Sequence, residues 1–162
     1  MDFLTKDEIE QLLHQWHVDL PRRLGLPWRR EIHTPEYARR QTALVNNMLL
    51  LLPKDARTLV HVTGWSTSPS IENMALFAFL RSAWGESRPL IEVPGHLLGS
   101  AEQEALECLF DVALYFDWDA AILDENKRFL ITLSNDGFIE VACTLDLKPK
   151  IDRLLDEFEV DT

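Results

Sequence analysis

The chain has 162 residues and a formal net charge of −11 at pH 7, and it is long enough for a single domain with a substantial core. The charge argues against nucleic acid and against an anionic membrane as partners, because both would repel an acidic protein. Residues 58–162 hold nineteen Asp and Glu against seven Lys and Arg, whereas residues 1–57 hold eight against nine, so the acidic charge belongs to the later part of the chain.

The first part of the chain is predicted to be mainly helical. Thr5 opens a capping box, which predicts a helix over residues 6–17. Pro35 suits the first position of a helix and predicts a second helix over residues 35–52. Between these helices, residues 19–34 are rich in Pro and Arg and are interpreted as a connector.

The next part alternates strands and helices. Short apolar runs predict strands over 58–64 and 89–93, with an apolar helix over 71–84 between them. A strand, a helix and a strand in succession favour a right-handed crossover, so these two strands are expected to be parallel. Ser100 is a good helix cap and predicts a further helix over 101–114.

The stretch FDWDAAILDENKRFLITLSNDGFIEV, residues 116–141, predicts three antiparallel strands joined by tight turns. Asn, Asp and Gly in the segment SNDG tolerate the positive φ that such turns require. Side chains alternate along a strand, so Trp118 is expected to face the core while Asp117 and Asp119 face outward. The segment KPKIDRLLDEFE then predicts a terminal helix.

These elements predict an α/β fold, with α+β as the alternative, in a single domain over residues 1–162. We expect a mixed sheet of roughly five strands that ends in an antiparallel meander, with helices packed on it. The helical N-terminal part, residues 1–57, is expected to pack on the α/β part, residues 58–162.

The outward face of the meander, with its turns, is the predicted partner-binding site. Clustered carboxylates would steer a basic protein partner toward this face and then hold it. A solvated sheet face, or a general requirement for solubility, explains the same carboxylates without a partner. The candidate residues are Asp117, Asp119, Asp124, Glu125, Asp136 and Glu140.

A small acidic α/β chain without a catalytic motif, ending in the meander DWDAAILDENKRFLITLSNDGFIEV, resembles bacterial immunity proteins. Such proteins neutralise toxins of contact-dependent or secretion-delivered systems. The resemblance is one of style over residues 58–145 and transfers no site residue. It implies a non-catalytic inhibitor of a basic toxin, such as a nuclease, with charge complementarity that favours fast association.

An alternative hypothesis is a small-ligand or phosphate-binding domain, or a small enzyme, that uses the loop Trp65–Ser70. This loop follows a strand and precedes a helix, a position that binds anions in open α/β sheets. The stretch lacks the spacing of either Gly-rich phosphate motif, and the chain has no Gly-x-Ser-x-Gly elbow. The candidate residues are Gly64, Ser66, Thr67, Ser68 and Ser70.

No catalytic residue, metal ligand or cofactor is assigned from the sequence, and an enzyme is not expected. His14 and His17 lie near one face of the first predicted helix, but a full set of metal ligands is not identifiable. A third hypothesis is a self-associating protein, because the basic first part of the chain could pair with the acidic part of a second copy in a homodimer.

Location in the cytoplasm is expected from three features. Cys108 and Cys143 lie in apolar surroundings without metal-ligand spacing, which indicates buried thiols in a reducing compartment. The N-terminal sequence MDFLTKDEIE is not typical of a signal peptide. The longest apolar runs are too short to span a bilayer.

Overall fold

The computed structural model describes residues 1–18, 20, 25–64 and 71–159, with the backbone alone for 71–74. Within these ranges the strands are β1 (Asp2–Leu4), β2 (Trp28–His33), β3 (Thr58–Gly64), β4 (Gly95–Leu98), β5 (Asp119–Asp124), β6 (Phe129–Ser134) and β7 (Phe138–Cys143). The helices are α1 (Lys6–Gln15), α2 (Ala38–Leu51), α3 (Ile71–Ala83), α4 (Gln103–Tyr115) and α5 (Lys148–Glu159). No helix in the described part of the chain is long and apolar enough to cross a membrane.

The described residues form one open sheet of seven strands in the order β1-β4-β3-β5-β6-β7-β2. Every neighbouring pair in it is antiparallel. The expected combination of helices and a sheet is confirmed, as is the antiparallel meander of β5, β6 and β7. The sheet has seven strands rather than five, and the prediction of a mixed sheet with a parallel crossover is wrong.

The strand predicted over 89–93 is a turn, and the strand in this region is β4. Backbone amides of Glu92 and Val93 donate to the carbonyl of Pro89 at 3.0 and 3.2 Å, which closes the turn. Leu90 and Val93 are both buried. Their spacing of three suits a helical turn rather than a strand, where buried positions alternate, and β4 then runs back along β3, with Thr58 opposite Leu98.

The segment 19–34, interpreted as a connector, contains the strand β2. It pairs along its whole length with β7, and Trp28 lies opposite Cys143. Its charged residues hid the alternation, because a strand at the edge of a sheet tolerates charge that a central strand does not. The N-terminal part of the chain therefore supplies both edge strands, β1 and β2, and is not only helical.

Two helix starts differ from the predictions. α2 begins at Ala38, three residues after Pro35. α4 begins at Gln103 with Glu102 as its cap residue, and the carboxylate of Glu102 accepts a hydrogen bond from the backbone amide of Gly99 at 2.8 Å. The predicted cap Ser100 lies in the turn before it.

The main core lies between one face of the sheet and the helices of the C-terminal two thirds of the chain, together with α2. Trp118 is among its largest fully buried side chains, as predicted. A second, smaller core lies on the other face, where α1 packs on the sheet. Its helix-side members are Ile9, Leu12, Leu13 and Trp16, and its sheet-side members are Leu59, Leu97, Ala121, Leu123, Leu130 and Ala142.

Candidate functional site

The six predicted partner-binding carboxylates do not form one surface. Asp124 and Glu125 lie at the end of β5, Asp119 lies at its start, and Asp136 lies in the turn between β6 and β7. Asp117 precedes β5 and belongs to the end of α4. Each location gives its carboxylate a different environment.

Asp124 is fully buried and holds the turn between β5 and β6. Its carboxylate accepts hydrogen bonds from the backbone amide of Arg128 at 2.6 Å and from the Nε atom of Arg128 at 2.8 Å. The guanidinium of Arg128 also pairs with Asp55 at 2.7 Å. Asp124 is thus a structural residue, and the prediction that it belongs to an accessible partner-binding surface is wrong.

Glu125 is neutralised by an arginine of the same chain. Its carboxylate accepts hydrogen bonds from the backbone amide of Arg57 at 3.0 Å and from the Nε atom of Arg57 at 2.9 Å. The backbone bond first, and the side-chain bond after it, lower the pKa of Glu125. The end of the sheet that carries Asp124 and Glu125 therefore presents little net negative charge.

Asp117 caps α4 instead of sharing a strand face with Asp119. Its φ of 50° lies in the left-handed region. Its backbone amide donates to the carbonyl of Leu114 at 3.2 Å, and the amide of Trp118 donates to the carbonyl of Ala113 at 2.9 Å. These two bonds form a Schellman motif, in which Asp tolerates the left-handed position better than most residues. The predicted outward strand position of Asp117 is wrong.

The remaining predicted carboxylates lie on or beside the sheet face that carries α1, in the part that the second core leaves uncovered. Alternation along the strands places Asp119 and Glu140 on this face, with Asp136 in the adjacent turn. Asp119 is half-buried, and its Oδ1 atom accepts a hydrogen bond from the backbone amide of Asn135 at 2.9 Å. It therefore orients the turn that carries Asp136.

Glu140 lies directly opposite Glu31 of β2. Glu31 is exposed and Glu140 is half-buried. Glu140 pairs with Arg29, whose Nη1 atom lies 3.9 Å from the carboxylate, a long ion pair. Sequence reasoning missed Glu31 because it missed β2, and only the alternation of Trp28 and Ile32 with charged residues could have suggested that strand.

An aromatic pair and a hydroxyl complete this surface. The rings of His33 and Phe138 lie on opposing positions of β2 and β7 with centroids 4.5 Å apart. Thr132 is exposed beside Glu140 on β6. We call this surface the open face, and its residues are Glu31, His33, Asp119, Thr132, Phe138 and Glu140.

The alternative ligand site receives no support from Gly64. A Cβ atom at Gly64 would lie 2.6 Å from the Oδ2 atom of Asp119, so glycine is needed there for close packing against a carboxylate. A carboxylate in that place would repel phosphate. β3 and β4 are antiparallel, so the crevice that binds anions in parallel sheets is not formed here. Ser66, Thr67, Ser68 and Ser70 lie outside the described residues.

Neither cysteine has the environment of a reactive thiol. Burial raises the pKa of Cys108, and it raises the pKa of Cys143 to about 11, so both remain protonated at neutral pH. Among the described residues, no group of three His, Cys, Asp or Glu side chains could hold a metal ion.

No protein-family model, curated protein or solved structure matches this chain.

Proposed function

We propose that this protein is a non-catalytic protein-binding module, an immunity-type inhibitor that binds a basic toxin domain, such as a nuclease, through the open face. The observation that supports this proposal is the direct opposition of Glu31 and Glu140 on adjacent strands. Like charges opposite each other on a sheet destabilise it. Arg29 compensates them weakly at its long distance.

A cationic side chain of a partner placed between Glu31 and Glu140 would remove this repulsion. The repulsion destabilises the free protein, and its relief on binding would then favour the complex. The surrounding groups suit a protein interface, because Phe138 and His33 offer apolar contact and Thr132 offers a hydrogen-bonding hydroxyl. Strands fix the backbone beneath these groups, so binding has to order side chains but little backbone.

The net charge of −11 supports the same partner. It would attract a basic domain over long distances and speed its association at low salt. A surface that covers the nucleic-acid cleft of a nuclease needs carboxylates where the nucleic acid would place phosphates. In this proposal, the carboxylates of the open face and Asp136 in the adjacent turn take that role.

The first test uses the free protein. Glu31→Gln and Glu140→Gln should each stabilise the protein by roughly 0.3–1 kcal/mol, because either change removes the opposed charges. The double variant should gain little beyond one single variant, since the repulsion is removed once. Urea unfolding at low salt measures the gain, and Glu92→Gln, an exposed carboxylate away from the open face, is the control. Additive effects of the two changes would contradict the proposed repulsion.

The second test concerns association with a panel of basic nuclease toxin domains, measured by biolayer interferometry and by inhibition of nuclease activity. Reversal of both charges, in Glu31→Lys with Glu140→Lys, should slow association by about tenfold or more, because steering and contact are both lost. Glu92→Lys with Glu104→Lys makes the same change in net charge at exposed sites off the open face and should have a smaller effect. Equal effects of the two pairs would exclude the open face as the interface.

A further inference from the structure

We propose that a groove in the helical layer is a second docking surface, which accepts an amphipathic helix of a partner protein that carries a basic residue on its flank. The groove lies between α2, α3 and α4 and has a volume of about 640 Å³. Its apolar lining includes Leu76, Phe77, Phe79, Val112, Tyr115 and Phe116. It is on the other side of the sheet from the open face, so the inference does not depend on the function proposed above.

Large apolar side chains project into solvent around this groove. Leu76 is 66% exposed, Phe79 is 73% exposed and Tyr115 is 62% exposed, whereas Phe77 at the floor is 2% exposed. Single exposed apolar residues are common on proteins, but several that line one groove indicate an interaction surface. Leu76 and Phe79 are three residues apart on α3 and face the groove together with Tyr115 of α4.

The rim of the groove carries the carboxylates of Glu107 and Asp111, and a hydrogen bond with Thr42 favours the charged form of Asp111. Asp111 lines the groove and is half-buried, and Glu107 lies one helical turn before it on α4. Burial first, and the charge of Glu107 after it, raise the pKa of Asp111. Among the ion pairs of the described residues, none includes Glu107 or Asp111. A lysine or arginine beside an apolar strip would complement this rim.

The shape of the groove and its charge select a helix over other occupants. The projecting side chains of Leu76, Phe79 and Tyr115 leave the groove open, so a small molecule would not bury them. A helix laid into the groove would bury them with apolar residues at i, i+3 or i+4, and i+7. A second copy in a two-fold pair would bring Glu107 and Asp111 of both copies to one interface, which like-charge repulsion disfavours.

The test is a displayed library of 16-residue amphipathic helices, with apolar residues fixed on one face and one flank position varied among Lys, Arg, Gln and Glu. Selection on the wild-type protein should enrich Lys and Arg at the flank. Binding of a selected Lys helix should fall about tenfold in Phe79→Ser, as expected for a central apolar contact, and by a smaller factor in Asp111→Asn. A Gln helix of the same sequence should not respond to Asp111→Asn.

Two controls separate the groove from the rest of the surface. Leu145→Ser removes an exposed apolar residue elsewhere and should leave binding unchanged, as should Glu31→Gln on the open face. Thermal unfolding of each variant checks that it is folded. Phe79→Ser is expected to fold, because Phe79 is exposed.

Four results would overturn the proposal. The first is that no helix prefers the wild type over Phe79→Ser, and the second is enrichment of Glu at the flank. The third is a wild-type dimer in sedimentation equilibrium that Phe79→Ser dissociates. The fourth is stabilisation of the protein by octylamine without binding of any helix. The third result would identify a second copy as the occupant, and the fourth a small apolar amine.

Discussion

Asp117 contributes to the protein as a helix cap, and its carboxylate has a measurable cost there. It occupies a left-handed position at the C-terminal end of α4, where the helix dipole disfavours negative charge. Asp117→Gly should stabilise the protein by about 0.5–1 kcal/mol, because glycine adopts positive φ without strain. Asp117→Ala, which keeps the strain and lacks the polar side chain, should destabilise it. Urea unfolding of both variants distinguishes these outcomes, and a stabilising Ala variant would contradict the assignment.

His96 makes stability dependent on pH. It is fully buried, with the ring of Phe3 5.5 Å away. Burial first, and the nearby charge of Arg81 after it, lower its pKa to about 3. Below pH 6.5 a histidine of the unfolded chain takes up a proton that buried His96 does not, so the unfolded state gains stability as the pH falls.

The wild-type protein should therefore lose about 2 to 3 kcal/mol of unfolding free energy between pH 6.5 and pH 4.5 through His96. His96→Leu should remove most of this dependence, and His61, whose pKa burial also lowers, accounts for part of the remainder. Glu86, with a pKa lowered to about 2 by its bonds to Arg88, loses its contribution only below pH 4.5. Urea unfolding at several pH values provides the measurement, and equal slopes for the wild type and His96→Leu would contradict the prediction.

The packing of α1 on the sheet depends on a glycine in β4. A Cβ atom at Gly95 would lie 2.7 Å from the Cδ1 atom of Ile9 and 3.0 Å from the Cβ atom of Leu4. Ile9 is itself buried, so its side chain has little room to move. Gly95→Ala should destabilise the protein by about 1–3 kcal/mol through overpacking. In the matched variant Gly99→Ala the nearest atom is 3.7 Å away, and thermal unfolding should show a much smaller change.

Ion pairs of one arginine join β2 to α5. The guanidinium of Arg30 lies 2.7 Å from Asp152 and 2.7 Å from Asp156, and it also pairs with Glu159. Together these bonds raise the pKa of Arg30. Arg30→Gln would leave the carboxylates facing one another and should destabilise the protein by roughly 1–2 kcal/mol, less at high salt.

In Arg30→Gln, hydrogen exchange should show a loss of amide protection in α5 and β2 before other elements. Arg153→Gln removes an exposed charge from the same helix and serves as the control. A uniform increase of exchange over the whole chain in Arg30→Gln would argue against a local role for these ion pairs.

At the scale of the whole molecule, the elements that the sequence predicts are those whose signals are local. The sequence predicts the meander because its apolar residues alternate and because Gly137, with φ of 82°, follows Asn135 and Asp136 in a tight turn. The local sequence does not predict β2, because Arg30 is a charged residue on the face that packs against the helices. It is accommodated there by ion pairs with carboxylates of α5. Those partners are distant in the chain, so no window around Arg30 contains them.

The candidate site divides in the same way. Asp119 and Glu140 share one face of the sheet, with Asp136 in the adjacent turn, because the register of the meander is set locally. Glu31 reaches Glu140 through the pairing of β2 with β7, which no local pattern contains. The burial of Asp124 depends on Arg128, four residues later, and such a spacing could have been recognised as a turn-closing pair.

The two edge strands come from the start of the chain and have a consequence for biosynthesis. During translation, β2 leaves the ribosome well before β7, which is its one neighbour among the described strands. The nascent chain must therefore carry an unpaired strand until its partner has been synthesised. Contacts between such distant segments slow folding and prolong exposure of an open edge, so a ribosome-associated chaperone that shields β2 should raise the yield of native protein.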